Sequence, residues 1–178
     1  MSVLVFIDTK GKISKAAKEA VTYGSKIGAT TVVTFGDADA AALASLGDNG
    51  ATKILVCRSL SEGNDQQLTK LIAAAANDCG ADVIIVSQDQ LGKAVAPRVA
   101  ANLEAGHVSG AIALPDTSNG FVVKTNVFSG KAFANVSVNS SKKVISLLPN
   151  SLPPESTGGS AEVAEFNPEL GAAGITVK

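Results

Sequence analysis

The sequence predicts an α/β fold with three layers, in which helices cover both faces of a mostly parallel sheet. Apolar β-branched runs without polar interruption, such as Val83–Val86, are typical of strands buried on both faces. Each of four such runs is followed by apolar residues at helical spacing. Short connections marked by glycine separate these segments, and this alternation favours a doubly wound sheet with right-handed crossovers.

The first three strand–helix units occupy residues 3–80. The predicted strands in this part are Val3–Ile7, Thr31–Phe35 and Lys53–Cys57. The first and third predicted helices start at residues that can cap a first turn, and a glycine or a loop follows each of the three. The helices are predicted from Ser14 to a stop at Gly28, from Asp39 to Leu46 before a loop at Gly47–Gly50, and from Asn64 or Asp65 to a stop at Gly80.

The fourth unit is the centre of the predicted fold. A strand over Asp82–Val86 precedes a helix with an apolar stripe at every fourth residue: Leu91, Val95, Val99 and Leu103. A proline costs about 3 kcal/mol in a helix interior but is tolerated in the first turn. Because of Pro97, we predict that the helix begins near Lys93 or Ala94, after a tight loop over Ser87–Gly92.

Beyond Gly110 the alternation ends, and β segments follow one another without a helix. A fifth strand is predicted at Ala111–Leu114. Turn signals at Asn119-Gly120 and Ser129-Gly130 separate further β-rich segments. These segments are predicted to form an antiparallel meander added to the parallel sheet, and they are Phe121–Val127, Ala132–Val138 and Lys143–Leu148.

The composition of the chain divides it into a domain and a tail. Residues 1–150 hold the predicted helices and strands, while Asn150–Ala161 is rich in Pro, Ser and Gly. Beyond Ala161, only Ile175–Val177 has the character of a strand. We expect residues 151–178 to form a linker or an extended tail.

Composition also excludes several classes of function. A net charge of −1, with 4% aromatic residues and no Trp, argues against nucleic acid binding. No run approaches the roughly 20 apolar residues of a membrane span. Val3–Ile7 is too short for a signal peptide and lacks a basic leader, so we expect a cytoplasmic protein without membrane insertion. Cys57 and Cys79 stand apart and His107 is the single histidine, so no metal site is predicted.

The loop after the fourth strand is the candidate binding site, because ligands dock where a central strand ends and a helix begins. Gln88, Gly92 and Lys93 are weak candidates for contacts to a phosphate or a partner. No G-x-G-x-x-G or P-loop pattern is present. A tight connection that needs Gly92 for its backbone freedom is therefore the preferred interpretation. Gly11-Lys12 and Gly36-Asp37 stand at other strand ends with the same ambiguity.

Other side chains have two interpretations each. His107 could stabilise a helix end by its charge or line an interface, but an exposed loop histidine without a role is preferred. Arg98 could pair with a partner subunit, but a solvated or intradomain pair worth about 0–1 kcal/mol is preferred. Three phenylalanines could form an apolar patch for a partner, and packing on their own sheet is equally open. They are Phe121, Phe128 and Phe133. No arrangement of a nucleophile and a base is visible, so we expect a protein that is not an enzyme.

Four segments carry a resemblance to a known family. They are SVLVFIDTKGKISKAAKEAV at 2–21, QDQLGKAVAPRVAANLEAGHVSG at 88–110, GFVVKTNVFSGKAFANVSV at 120–138 and KKVISLLPNSL at 142–152. The second is the most specific, with its Gly-Lys, Ala-Pro-Arg-Val-Ala-Ala and Ser-Gly. From Met1 to about Leu152 the chain resembles the amino-terminal domain of the electron transfer flavoprotein α subunit. The resemblance implies a Rossmann-like fold of the adenine nucleotide alpha hydrolase type.

The resemblance also implies a role in electron transfer. In that family an α and a β subunit form a heterodimer with flavin adenine dinucleotide (FAD). The flavin takes electrons from flavoprotein dehydrogenases, as in fatty acid β-oxidation, and passes them to a quinone reductase or another acceptor. The amino-terminal α domain serves mainly as a scaffold and as a contact for the β subunit. The flavin is held chiefly by a separate carboxyl-terminal α domain. We expect FAD in the full complex and none on this chain alone.

The sequence departs from the family pattern in two respects. It stops at Lys178, where the linker into the flavin domain would run, so we expect either an excised domain or a protein that lost its second domain. Lys124 and Phe128-Ser129-Gly130 stand where the family often has an arginine and Tyr-Ala-Gly. The competing hypothesis is a stand-alone nucleotide-binding module of the universal-stress or adenine-nucleotide hydrolase type, which would need a phosphate loop. Catalysis on a small molecule is the third.

Overall fold

The structure is a computed structural model that describes residues 1–9 and 12–174. Within these residues the strands are β1 (Ser2–Phe6), β2 (Ala29–Phe35), β3 (Ala51–Cys57), β4 (Val83–Ser87), β5 (Gly106–Ala111), β6 (Val122–Val127), β7 (Ala132–Ser137), β8 (Lys143–Leu147) and β9 (Glu162–Glu165). The helices are α1 (Lys15–Ser25), α2 (Ala40–Ala44), α3 (Asp65–Asp78) and α4 (Gln90–Asn102), with 3₁₀ turns at Ser45–Asn49 and Phe128–Gly130. None of the helices in the described ranges is long and apolar enough to cross a membrane.

The strands form one sheet in the order β7-β6-β5-β8-β4-β1-β2-β3-β9. Neighbouring strands are parallel except in the pairs β5–β6 and β6–β7. Helices α1 and α2 cover one face and α3 and α4 cover the other, so a hydrophobic core lies on each side of the sheet. Val5 and Ile85 on the central strands are fully buried, as expected for strands covered on both faces. The predicted three-layer fold is confirmed.

Helices α1 and α3 begin after the predicted cap residues Ser14 and Asn64. Ser14 Oγ accepts a hydrogen bond from the Ala17 N–H at 3.1 Å, which satisfies a donor that the first turn leaves unpaired. The helix predicted to reach Leu46 ends earlier, at Ala44, and continues as a 3₁₀ turn. Its α-helical path stops because the Ala44 carbonyl accepts from the Ala161 N–H at 3.0 Å instead of from the next helical turn.

Helix α4 begins at Gln90, and the predicted start near Lys93 or Ala94 is wrong. Asp89 supplies the cap, since its Oδ1 accepts from the Gly92 N–H at 2.8 Å. The predicted loop over 87–92 is therefore reduced to two residues, and its second half is the first helical turn.

Pro97 accordingly lies inside α4 rather than in its first turn. The ring of a helical proline opposes the carbonyl four residues earlier, which here belongs to Lys93. Both residues are exposed, so water can reach the carbonyl that loses its hydrogen bond. Burial of Val95 and Val99 on the opposite face offsets the cost, at about 1.5–3 kcal/mol for each buried side chain.

The prediction that the last strands form one antiparallel meander is wrong for β8. This strand lies between β4 and β5 and is parallel to both. Its Val144 and Ile145 point to opposite faces and are both fully buried, which is the pattern of a central strand. The fifth strand is also displaced, since it covers Gly106–Ala111 instead of Ala111–Leu114. Pairing with β8 fixes this position, because Gly106 aligns with Lys143 at the start of that ladder.

The segment after β8 stays against the domain as far as it is described. Asn49 Nδ2 donates to Glu155 O at 2.8 Å, and the Thr157 N–H donates to Asp48 O at 2.6 Å. The chain then forms β9, which pairs in parallel with β3 at the edge of the sheet. The strand predicted at Ile175–Val177 lies outside the described residues. A continuation into a second domain stays a prediction.

Candidate binding sites at the carboxyl edge of the sheet

The switch point of the sheet lies between β1 and β4, where connections run to opposite sides. Open α/β sheets usually bind nucleotides in the crevice at this point. Here the crevice is a space of about 20 Å³ between the ends of β1 and β4, with Ser14, Ala17, Asp89 and Leu91 around it. A buried water needs about 10–15 Å³ on this measure, so there is room for little more than one. We call this space the closed crevice.

Gly92 belongs to the wall of this region. A Cβ atom at Gly92 would lie 1.8 Å from the carbonyl oxygen of Ser87, so the helix can approach the strand this closely only with glycine. The Gly92 N–H is already bonded to the Asp89 carboxylate, which places a negative charge at the helix amino end. These contacts support the interpretation of a tight connection that the sequence favoured.

The three weak candidates do not converge on one point. Lys93 is exposed on α4. The Gln88 N–H donates to Leu147 O at 2.8 Å, and its side chain lines a separate groove nearer to β5. A phosphate or partner contact by Gln88, Gly92 or Lys93 stays a prediction.

The other predicted strand-end positions border acidic surroundings. Gly36 has a φ of 84°, and its carbonyl accepts from Arg58 Nη1 at 3.2 Å. It borders an open space of about 470 Å³ whose wall includes Asp8, Asp37 and Asp39. Three carboxylates around this space oppose a phosphate. In Gly11-Lys12, the glycine lies outside the described residues.

A larger groove lies between β5 and β6. The two strands share one ladder pair, Ala111 with Thr125, and separate beyond it. The open space between them measures about 510 Å³, which is within the range of known ligand pockets. We call it the β5–β6 groove, and its walls are residues 107–110, residues 125–127, Ser129, Gly130 and the side chains of Gln88, Val136 and Leu148.

Two buried acceptors at this groove have no donor. Four buried side-chain oxygens in the described part of the chain lack a hydrogen-bond partner, and two of them, Gln88 Oε1 and Asn126 Oδ1, belong to residues that line the groove. Leaving a buried acceptor unpaired costs about 1–3 kcal/mol. The other two belong to Glu19 and Ser87. The groove therefore carries two of these four unpaired acceptors, a cost that proteins normally avoid, and Ser87 of the closed crevice carries another.

His107 stands on β5 at the same groove, not in a loop as predicted. The residue is exposed, in agreement with the sequence, but its Nε2 lies 2.9 Å from the buried Ser146 Oγ. Partial burial of the ring lowers the pKa of His107 below its usual value of 6.5, so the ring is neutral at pH 7. None of the described residues that line the groove carries a charge at this pH.

The rim of the groove is a strained turn. Phe128, Ser129 and Gly130 have φ values of 50°, 54° and 82°, in the left-handed region. A non-glycine residue in this region costs about 1–2 kcal/mol. The turn holds the Phe128 side chain 80% exposed. Strain that presents an apolar side chain to solvent is characteristic of functional segments.

The three phenylalanines of this region separate into two groups. Phe121 is buried in the core, which agrees with packing on its own sheet, one of the two interpretations left open by the sequence. Phe128 and Phe133 are exposed, and Lys124 Nζ lies 4.7 Å from the centre of the Phe133 ring. Arg98 Nη2 is 3.1 Å from Asp65 Oδ2, which confirms the preferred intradomain pair.

The described surroundings do not fit a dinucleotide such as FAD. The closed crevice is too small, the space beside Gly36 is acidic, and the β5–β6 groove lacks a charged residue to pair with a pyrophosphate. Among the residues that the structure describes, no group of three or more His, Cys, Asp or Glu side chains could hold a metal ion.

Sequence reasoning did not find the β5–β6 groove. It placed β5 too late and therefore assigned His107 and Ser109 to a loop. The sequence signal nearest to the groove is the Ser129-Gly130 turn. It indicates where β6 ends, but it does not indicate that β5 and β6 separate. The separation occurs beside Gly110, which has a φ of 76° and lies where the β5–β8 register shifts.

Comparison with known families gives one result for this chain. A sequence model described as the electron transfer flavoprotein domain matches residues 3–170. The match includes every strand and helix bounded above except the first residue of β1. A search of curated proteins gives no match.

Proposed function

Since the chain belongs to the electron transfer flavoprotein domain family, we propose that it is the amino-terminal domain of an α subunit. Proteins with this domain are electron carriers. In this proposal the chain is a scaffold that docks a β subunit, and the FAD of the full complex is held mainly by other domains. Flavoprotein dehydrogenases are then the electron donors, and the chain itself catalyses no reaction.

One observation carries the proposal of a scaffold. The nucleotide position of this kind of sheet is filled by the chain's own side chains, leaving about 20 Å³. Asp89 caps the helix end where a phosphate would bind, at 2.8 Å from the Gly92 N–H. A domain without a nucleotide crevice suits a structural and docking role.

The assignment to an α subunit rests on resemblance. The segment at 88–110, which resembles the α subunit most specifically, forms the short connection after β4, all of α4, and β5 except its last residue. It therefore includes Gly92, whose contact with Ser87 closes the crevice. Lys124 and Phe128 differ from the residues that the family often has at these positions, and both lie on the β6–β7 hairpin.

Reconstitution tests the proposal. The 178-residue chain is purified alone, with an electron transfer flavoprotein β subunit, and with both a β subunit and an α-type flavin domain. We expect a colourless protein in the first case, a one-to-one complex by light scattering in the second, and flavin absorbance in the third. Stoichiometric flavin on the isolated chain would contradict the proposal, and so would failure to bind the β subunit.

Thermal shift with AMP, ATP and FAD separates this proposal from a stand-alone nucleotide-binding module. A ligand at a hundred times its dissociation constant stabilises a protein by about 2.7 kcal/mol, which is readily seen in the melting temperature. The proposal predicts no shift with AMP or ATP. A clear rise with either nucleotide supports the module instead.

A further inference from the structure

The β5 edge that faces the β5–β6 groove has backbone groups without a ladder partner. The Gly106 N–H donates to Lys142 O on the β8 side, while Ser109 O accepts from Thr125 Oγ1 on the β6 side. Backbone groups of alternate residues point to opposite sides of a strand. His107 therefore presents its N–H and carbonyl toward β6, yet the described ladder between these strands contains only Ala111 and Thr125.

The hydrogen-bonding groups of the groove indicate the chemistry of an occupant. Gln88 Oε1 and Asn126 Oδ1 are buried acceptors that have no donor among the described residues, so an occupant with N–H or O–H groups is able to pair with them. The described lining is uncharged, which disfavours an ionic occupant. Val136 and Leu148 supply apolar surface for side chains. A length of extended, uncharged polypeptide has this combination of donors, acceptors and apolar groups.

The rim supplies an apolar anchor for the same partner. Phe128 is 80% exposed on the strained turn, and Ser129 and Gly130 of that turn line the groove. Aromatic residues, Phe among them, are enriched in protein–protein interfaces. Phe128 is therefore accessible to a partner that covers this rim.

We propose that an extended segment of the β subunit lies in the β5–β6 groove, pairs with the free edge of β5, and donates hydrogen bonds to Gln88 and Asn126. Phe128 inserts into an apolar pocket of the same subunit. This inference rests on the proposed function, which requires a polypeptide partner but does not say where it docks. It places the interface at the end of the sheet farthest from β9.

Binding of the β subunit to variants of the 178-residue chain tests the site. Gln88→Leu and Asn126→Leu each remove an acceptor, and we expect each to weaken binding about tenfold, the effect of one lost hydrogen bond. Phe128→Ala is expected to weaken binding by a similar or larger factor. The matched controls are Gln66→Leu and Leu114→Ala, which change exposed residues elsewhere and leave the dissociation constant unchanged.

A second readout separates docking from damage to the fold. Removing an unpaired buried acceptor does not lower stability. Gln88→Leu and Asn126→Leu should therefore keep or raise the melting temperature while they weaken binding. In the wild-type complex, hydrogen exchange at the His107 and Ser109 amides should slow.

The outcomes of these binding experiments distinguish an error in the docking site from an error in the proposed function. If the β subunit binds wild type and all variants equally, or leaves His107 and Ser109 exchange unchanged, the docking site is wrong and the proposed function stands. If wild type does not bind the β subunit, both are wrong. Selective weakening by the groove and Phe128 variants, with unchanged controls, supports the site.

Discussion

The closed crevice and the β5–β6 groove lie at the same edge of one sheet, but they differ in strand pairing and in the space that they leave. At the crevice, Asp89 caps Gly92 and the strands on both sides are fully paired. At the groove, β5 and β6 share one ladder pair, and two buried amide oxygens lack donors. The chain's own residues therefore fill the closed crevice, whereas the β5–β6 groove keeps space and unpaired groups that are available to a partner.

The cause lies in what covers each region. The crevice is bounded by α1 on one side and by the start of α4 on the other, so helices fill the space that a ligand would take. In the described residues, β5, β6 and β7 follow one another without a crossover α-helix, and only a 3₁₀ turn lies between β6 and β7. Parallel connections bring helices to the sheet, whereas hairpins do not.

The substitution Gly92→Ala tests the packing around the closed crevice and has the largest expected effect. The new methyl group would start 1.8 Å from Ser87 O, and that atom is backbone and cannot rotate away. We expect the free energy of unfolding to fall by about 2–3 kcal/mol in urea denaturation. The control is Lys93→Ala on the next, exposed residue, which should stay within about 0.5 kcal/mol of wild type. Equal stability of the two variants would show that the crevice is not tightly packed.

Glu19 tests whether buried polar groups in the closed half need their partners. It is 1% exposed, and its Oε2 accepts from the Asn150 N–H at 2.9 Å. We expect Glu19→Ala to lower the free energy of unfolding by about 2 kcal/mol, because it leaves that N–H unpaired. Glu19→Gln keeps an acceptor and should cost less than half as much. The comparison fails if the two variants unfold at the same denaturant concentration.

Phe128→Gly addresses the opposite end of the sheet and should stabilise the isolated chain. Phe128 has a φ of 50°, and glycine adopts this conformation without the steric cost. We expect a gain of about 0.5–1 kcal/mol in the free energy of unfolding, measured by thermal denaturation. Lys131→Gly, three residues later at a φ of −83°, should instead lose about 0.5–1 kcal/mol. A loss of stability in both variants would remove the argument that the turn is strained.

Asp48 gives the smallest effect and concerns the attachment of the segment after β8. Hydrogen bonds from Ser156 Oγ and the Gly158 N–H lower the pKa of Asp48 below its usual value of 3.8. The contribution is therefore complete above pH 3.8 and is lost as the pH falls through the lower, folded-state pKa. Hydrogen exchange at Thr157 and Gly158 should quicken below that pH.

The matched variants for this pH effect are Asp48→Asn and Asp78→Asn. Asp48→Asn should show faster exchange in residues 156–158 already at pH 7, because the amide accepts more weakly than the carboxylate. Asp78 is exposed on α3, and its substitution should leave that exchange unchanged. Identical exchange in wild type and Asp48→Asn at pH 7 would contradict the attachment.

The sequence was sufficient for elements whose signals are local. Ser14 and Asn64 cap helices because a side-chain oxygen three residues before a free N–H is a short-range arrangement. It was misleading for α4, where Pro97 suggested a late start. Packing of Val95 and Val99 outweighed the local cost of that proline, and a single-sequence pattern does not contain this energy.

The candidate sites were predictable only in part. Gly92 was correctly interpreted as a tight connection, because absence of a phosphate motif and a glycine beside a strand end are both visible in the sequence. Gln88 was proposed for the crevice region, whereas its side chain lines the β5–β6 groove. The direction of one side chain at a strand end depends on the neighbouring strand, and that neighbour, β8, comes more than fifty residues later.

The amino-acid sequence by itself determined the alternation of strands and helices, the caps and the three-layer class, because hydrophobic period and capping act over a few residues. Tertiary structure alone decided that β8 enters the sheet between β4 and β5, that β9 extends its edge, and that β5 and β6 separate. Those outcomes depend on which distant strands compete for the same edge, and the free energy of that competition resides in contacts between segments far apart in the chain.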